Sequence, residues 1–415
     1  MKKLRKPVYF ACGYNTISLG TGRSEFHPKK PRPGLEEYIK EAGQGVIAQI
    51  SDAKHIDEGI MSNFIAARFN KQAHLAAMIP MIDSALVYKP CSRVEGACAS
   101  GGLALANAVR SILAETADVV LVIGVEVQNT VKAIYGADYL AAAGHYRDER
   151  KNGHAYFFPG KFSDRAGAYY EKFGLESTRE AMAHWYVQAI ENARTCKNAQ
   201  EFENKAADLL SLGMKSPNPR GFVDHLNLFD CSKVSDGASA IICASEEGLA
   251  KLGVAKEKAV QVMGVGQSED DLTQAPKDLT RMTTTQNAVE KAYEMAGISA
   301  DKVGVIELHD CFSITGLLVL EAAGFAEHGK GGELIVKGDT KRSGKIPVNT
   351  TGGLVGYGHP TGATGIRQMI DVCNQVTGQA GDSQIDMTEE RPYGLTINMG
   401  GNDRTAVSMV VKKAN

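Results

Sequence analysis

A pattern that occurs twice narrows the folds open to this chain: a loop of small residues, then a helix, then a strand with no polar face. In the first half the loop is Cys91-Ser-Arg-Val-Glu-Gly-Ala-Cys98-Ala-Ser-Gly-Gly102, and Leu103 to Ala114 carry apolar residues at helical spacing. The strand is Ala117-Asp-Val-Val-Leu-Val-Ile-Gly124, whose apolar run needs cover on both faces, as in a sheet packed between helices. In the second half the loop is Asn349-Thr-Thr-Gly-Gly-Leu-Val-Gly-Tyr-Gly358-His359-Pro-Thr-Gly-Ala-Thr-Gly365, followed by a helical pattern from Ile366 through Val376. A Gly-rich turn and a polar stretch then lead to Tyr393-Gly-Leu-Thr-Ile-Asn-Met-Gly400 and Thr405-Ala-Val-Ser-Met-Val-Val411. The expectation is an α/β chain of two similar halves. At 415 residues it has room for two or three domain-sized units.

The loops carry the reactive side chains. Cys98 falls at or just before a helix N-terminus, where unpaired N–H groups and the helix dipole favour a thiolate. It reads as a nucleophile or as a small buried hydrophobe in a tight turn. The glycines of 349–365 exclude a strand or helix interior and imply a backbone that comes close to something. His359 at the centre of that loop reads as a catalytic base or as an incidental histidine. A third segment, His309-Asp-Cys311-Phe312, ends the apolar run Val303-Gly-Val-Ile-Glu-Leu308. If the strand persists, 309 and 311 share a face, which gives either a proton-handling pair or a packed strand end.

Residues 131 to about 225 differ in texture. Tyr135, Tyr139, Tyr146, Tyr156, Phe157, Phe158, Tyr169 and Tyr170 crowd among charges, with breakers at Lys215-Ser-Pro-Asn-Pro-Arg-Gly221. The formal net charge of −2 gives no long-range reason to bind nucleic acid or a membrane surface. No stretch nears the roughly 18 apolar residues of a membrane span. The basic start, Met1-Lys-Lys-Leu-Arg-Lys-Pro7, precedes an apolar run too short for a signal peptide. Eight cysteines, at 12, 91, 98, 196, 231, 243, 311 and 373, form no Cys-x-x-Cys pair and show no metal-ligand spacing with the ten histidines. Scattered thiols fit a reducing compartment, with the cytoplasm as default and the mitochondrial matrix as the eukaryotic variant.

Taken together, Ala97-Cys98-Ala-Ser-Gly101, His309-Asp-Cys311-Phe312 and Gly358-His359-Pro-Thr-Gly-Ala-Thr-Gly365 resemble the motifs of the thiolases, which make or cleave 3-ketoacyl-coenzyme A. More narrowly they are similar to the sterol-carrier-protein type, in which His-Asp-Cys-Phe replaces the Asn-Glu-Ala-Phe of ordinary thiolases. Ser235-Asp-Gly-Ala-Ser-Ala240 and Gly352-Gly-Leu354 resemble further family strings, so that the likeness runs from about residue 8 to residue 412. One departure stands out. Where ordinary thiolases carry a second catalytic cysteine in Cys-x-Gly, this chain reads Asn398-Met-Gly400.

The resemblance implies a duplicated five-layer αβαβα fold with an inserted loop domain. Residues 1–130 plus 226–270 would form the N-terminal half, 131–225 the loop domain and 271–415 the C-terminal half. It also implies roles: Cys98 holds the acyl group, His359 is its base, and Cys311 replaces the missing second cysteine as acid and base. One oxyanion hole would use His359 with either His309 itself or a water that His309 positions, the other the backbone N–H groups of Cys98 and Gly400. Coenzyme A and acyl-CoA would be substrates, with no permanently bound cofactor and no metal. The coenzyme A contacts are unassigned, with Lys161, Arg165, Lys215 and Arg220 eligible. A homodimer or dimer of dimers in lipid metabolism and fatty acid β-oxidation is implied, with no nucleic-acid partner and no membrane insertion. Two alternatives stay open: a related condensing enzyme or acyltransferase, for which Cys98, His309 and His359 suffice, and a non-catalytic acyl-CoA-binding scaffold.

Overall fold

The computed structural model describes residues 3–151 and 153–415; Met1 and Lys2 of the basic N-terminal stretch lie outside the described residues, as does Asn152. The strands are β1 (Tyr9–Asn15), β2 (Glu58–Ser62), β3 (Cys91–Val94), β4 (Val119–Glu126), β5 (Gly237–Ala244), β6 (Val260–Glu269), β7 (Val303–Leu308), β8 (Tyr393–Gly400) and β9 (Thr405–Lys413). Their order is β3-β2-β4-β5-β1-β6-β9-β8-β7. The sheet is continuous only through a short seam, where Tyr9 faces Gln261 and Phe10 faces Val260. Either side of it lies one leaf, β3-β2-β4-β5-β1 and β6-β9-β8-β7. The strand β6 falls in the 226–270 stretch expected to belong to the first half. It pairs with β9 from Val260 to Glu269, so the sheet divides before Val260 rather than after 270.

The apolar run of β4 is explained by its two buried faces. Val119, Leu121 and Ile123 pack with Ile39 and Val46 of helix α1 (Leu35–Ile47) on the outside of the first leaf. Val120 and Val122 point the other way, toward α2 (Ser100–Leu113) and, further along the chain, Thr361–Thr377. Ala104, Ala108, Ile366 and Met369 of those two helices also meet Val407 and Met409 of β9, so both helices lie between the leaves.

On the far side of the second leaf, Ile306, Ile397 and Val410 are covered by helices in which Val289 and Leu317 are buried. Helix, sheet, paired helices, sheet and helix make the five expected layers. Each fully buried Val, Leu or Ile contributes about 1.5–3 kcal/mol, so a polar residue on either face of β4 would be costly.

Residues 131–225 contribute helices, among them α3 (Phe157–Phe173) and α4 (Leu175–Ala193). Their aromatics do not form a core of their own. Phe162 stacks on Phe312 with centroids 4.6 Å apart. Trp185 lies against Gly316, whose Cβ, if added, would sit 2.6 Å from the indole. The remaining helices used below are α5 (Thr283–Ala296), α6 (Ser313–Ala322) and α7 (Thr361–Thr377).

Candidate active site

The two interior helices cross backbone to backbone at Gly101 and Gly365. A Cβ on Gly101 would lie 2.7 Å from the Gly365 nitrogen, and a Cβ on Gly365 2.5 Å from the Gly102 nitrogen. Only residues without side chains fit there. The crossing draws together what immediately precedes each helix, Cys98 before α2 and His359 before α7.

The Cys98 sulfur and ring nitrogens of His309 and His359 all lie within 4.8 Å of one another. The two rings meet edge to face, with centroids 5.1 Å apart. His359 is held from both ends: its backbone N–H donates to Ser235 Oγ at 2.9 Å, and its carbonyl accepts from Gln128 Nε2 at 3.0 Å. Its Nδ1 lies 2.7 Å from Thr364 Oγ1, whose hydroxyl donates to the Pro360 carbonyl at 3.1 Å. With that proton committed, the threonine oxygen accepts from Nδ1–H, and Nε2 keeps a lone pair. Nε2 is buried without a partner. Burial, reinforced by the Arg367 charge, pushes the ring's pKa down to about 3, so it is neutral and able to take a proton.

His309 reaches the same pocket by a different route from the one expected. The strand β7 stops at Leu308, so 309–311 are not strand. Asp310 between them has partners of its own. Its carboxylate accepts from the Leu354 N–H at 2.7 Å and from Trp185 Nε1 at 3.0 Å, with burial raising its pKa to about 6. Gly353, at φ +60, makes this approach fit: a Cβ there would lie 2.5 Å from the carboxylate. Asn349 finishes the strand, accepting from the Leu308 N–H at 2.8 Å. His309 is buried and its pKa is lowered well below the usual value, by burial first and then by His359 and Arg367. Its Nδ1 lies 3.3 Å from Asn398 Nδ2, and its Nε2 has no partner.

Cys98 sits where the sequence places it, just ahead of α2, but burial outweighs the helix N-terminus. Its pKa rises to about 12, desolvation acting first and the Glu126 charge second, against a hydrogen bond from the Gly401 backbone. The resting pair is therefore thiol and neutral imidazole. Cys98 is half-buried, whereas Cys311 is buried, its thiol pushed well above the ordinary value by burial and then by the neighbouring Cys98. Gly400 ends β8 against the Cys98 loop, where a Cβ would be 2.3 Å from the Gly96 carbonyl. Cys98, His309 and His359 are also the one group of three potential metal ligands found among the described residues. Thiolate and imidazole would suit zinc, but an ion would occupy the lone pairs that a nucleophile and base need.

Three contributors were given no role from the sequence. Thr364 lies inside the glycine-rich string and differs from its neighbours only in carrying a hydroxyl one turn after His359. Asn398 is visible in the sequence only as a position without cysteine. Glu126 closes β4 and accepts from the N–H groups of Phe64, Ile65 and Gly362 and from the Thr361 hydroxyl, tying the Cys98 half to the His359 loop. Of the eligible coenzyme A contacts, Arg165 is not available. It is buried and donates to Asn402 Oδ1 at 2.5 Å and to the carbonyls of Leu279 and Arg281. Lys161 is paired with Glu149 at 2.6 Å, whereas Lys215 and Arg220 are exposed.

Comparison with known proteins identifies the family and the fold. Residues 34–215 match the family model described as thiolase, N-terminal domain, and residues 264–413 match thiolase C-terminal domain-like. The chain is 35% identical over 377 residues to an acetyl-CoA acetyltransferase of Methanothermobacter thermautotrophicus, covering 90% of this chain and 93% of that one. It is 32% identical to sterol carrier protein 2 of Rattus norvegicus over 71% of this chain and 54% of that longer protein. Its fold superimposes on human mitochondrial 3-ketoacyl-CoA thiolase in complex with CoA with a TM-score of 0.71 at 16% identity, covering 100% of both chains.

Proposed function

The chain belongs to the thiolase family, and from that premise we propose that it cleaves and forms 3-ketoacyl-CoA through an acyl-enzyme on Cys98. The observation that carries the reading is the meeting, within 4.8 Å, of one thiol and two neutral imidazoles, each with an unpartnered Nε2. In the cleavage direction, His359 Nε2 takes the Cys98 proton as the sulfur attacks the 3-keto carbon. The bond between that carbon and the α-carbon then breaks, leaving the acyl group on Cys98 and acetyl-CoA as its enolate. Cys311, whose raised pKa keeps it a thiol, is in the state needed to give the enolate carbon its proton. Its thiolate then takes the proton of incoming coenzyme A, whose sulfur displaces Cys98 from the acyl group. His359 returns its proton to the Cys98 sulfur. Condensation is the same sequence reversed.

The two negative oxygens need separate donors, each worth roughly 3 to 4 kcal/mol. Backbone N–H groups of Cys98 and Gly400 suit the tetrahedral species on Cys98, and the ring N–H groups of His309 and of protonated His359 suit the enolate oxygen. The 131–225 segment acts as the lid and coenzyme A platform, with the exposed Lys215 and Arg220 as its phosphate contacts. The eight free cysteines favour a reducing compartment, the cytoplasm, and no helix among the described residues is long and apolar enough to cross a membrane. A second copy pairs with β3, the edge strand of the first leaf, beside Val87 and the 99% exposed Tyr88.

The test separates the two thiols. Cys98→Ala should abolish acetylation by acetyl-CoA and cleavage of acetoacetyl-CoA, whereas Cys311→Ala should still be acetylated and lose cleavage. Full thiolytic activity in Cys311→Ala would overturn its assignment. Consumption of malonyl-CoA but not of acetoacetyl-CoA with coenzyme A would favour a decarboxylating condensing enzyme.

A further inference from the structure

Asn398 is buried at the point where α2, β8 and the histidine pair meet, and its amide can be oriented without ambiguity. The Gly102 backbone N–H can only donate, so the Asn398 atom 2.9 Å from it is Oδ1. The Nδ2 group then faces three acceptors: the Cys98 carbonyl at 3.2 Å, Gln368 Oε1 at 3.3 Å and His309 Nδ1 at 3.3 Å. Gln368 is itself oriented, because its Nε2 donates to the Ile397 carbonyl at 3.4 Å. Two hydrogens are thus shared among three acceptors.

An amide nitrogen gives its lone pair to the adjacent carbonyl and cannot accept a hydrogen bond. Its contact with His309 is attractive only when Nδ1 is the bare nitrogen of that ring. In a neutral imidazole the proton then sits on Nε2, the atom that is buried without a partner beside Cys98 and His359. His359 is fixed in the opposite sense by Thr364, with its Nε2 bare. The pocket therefore holds one ring that donates and one that accepts. Were His309 free to adopt its other tautomer, two lone pairs would face the thiol, and a developing oxyanion would be repelled rather than held.

We propose that Asn398 is the positioning residue that locks His309 as the Nε2–H tautomer, so that this ring presents a donor to the enolate oxygen. Asn398 acts through His309 and does not touch the substrate. The cysteine that ordinary thiolases carry here could not orient a ring in this way, and an asparagine at 309 would need no such orientation. Histidine at 309 and asparagine at 398 therefore form a chemical couple. The proposal rests on the thiolase reading of the pocket for its function, but not for its tautomer.

Nitrogen-15 spectra of histidine-labelled protein without substrate test it, with the His309 signals assigned by their loss in His309→Asn. The wild type should show His309 protonated at Nε2 and bare at Nδ1. In Asn398→Asp the carboxylate should draw the proton to Nδ1, and in Asn398→Ser the ring should populate both tautomers. Both variants should keep acetylation of Cys98 within about threefold; Asn398→Asp should lose acetoacetyl-CoA cleavage by roughly 100- to 1000-fold in kcat, the cost of one oxyanion donor, whereas Asn398→Ser should lose it only in proportion to the share of the Nε2–H tautomer it gives up. A wild-type His309 bare at Nε2, or an unchanged tautomer in both variants, would overturn the proposal. If Asn398→Asp does not fold, the wild-type spectrum and the serine variant decide. Wild-type protein that acetyl-CoA cannot acetylate would instead overturn the thiolase reading.

Discussion

Replacing Gly101 by alanine pits two effects of opposite sign against each other. In an open helix the change gains about 1 kcal/mol in propensity. Here the new Cβ would meet the Gly365 nitrogen at 2.7 Å, its Cα at 2.8 Å and the Ile366 nitrogen at 3.0 Å, where ordinary contact begins at 3.4 Å. All three are backbone atoms of α7, which is enclosed between the two leaves and cannot rotate away. Relief requires α2 and α7 to part by roughly 0.6 Å, and overpacking of this kind costs about 1–3 kcal/mol. Net destabilisation of about 0–2 kcal/mol follows, against a gain of about 1 kcal/mol at an open helical site. The same separation moves Cys98 from His359. If a 1 Å misplacement costs about 100-fold, this one should slow acetylation roughly tenfold. Gly136→Ala, in the helix Ala133–Leu140, is the control: its Cβ would meet the Phe69 ring at 3.5 Å, an ordinary contact. Thermal unfolding and single-turnover acetylation by radiolabelled acetyl-CoA measure both effects. A Gly101→Ala protein as stable as Gly136→Ala, or acetylated at the wild-type rate, would refute the crossing argument.

His359 also sets a pH dependence of stability. Its folded pKa of about 3 lies below the value near 6.5 of an unfolded chain, so between the two the unfolded chain binds the extra proton. Its contribution is complete above pH 6.5 and is lost as pH falls, at about 1.4 kcal/mol per pH unit. In urea unfolding, the drop in stability from pH 7.5 to 5.0 should be about 2 kcal/mol smaller in His359→Asn than in wild type. Equal drops would mean that the ring is not held neutral. Sedimentation tests the β3 edge: Tyr88→Glu alters a side chain that touches little of its own subunit and should shift a dimer toward monomer, and a monomeric wild type would end that idea.

The sequence was most informative where chemistry and backbone demand the same residue. The glycines up to 365 were legible as a close backbone approach, although Gly362 and Gly365 lie inside α7 and not in the expected loop. The reason, one helix backbone lying against another, was not legible, because Gly101 and Gly365 are 264 residues apart (365 − 101). The motif residues Cys98, His309 and His359 could be named singly, whereas their meeting within 4.8 Å depends on two leaves folding around two helices. The condition for alternation at 309–311, a strand that persists, is not met. The strand ends at Leu308, and Asp310 is held by Trp185 and Leu354.

Composition and periodicity determined by themselves that the chain is α/β, duplicated and doubly covered, because an apolar strand such as β4 cannot face water. The motif strings determined which thiols and rings were available. Protonation states were decided by tertiary structure alone. A helix N-terminus favours a thiolate, but desolvation in this pocket outweighs it and raises Cys98 to about 12. A threonine one turn away and an asparagine 89 residues beyond His309 orient the two histidines in opposite senses. Hydrogen-bond direction is set by neighbours in space, which the order of residues along the chain does not specify.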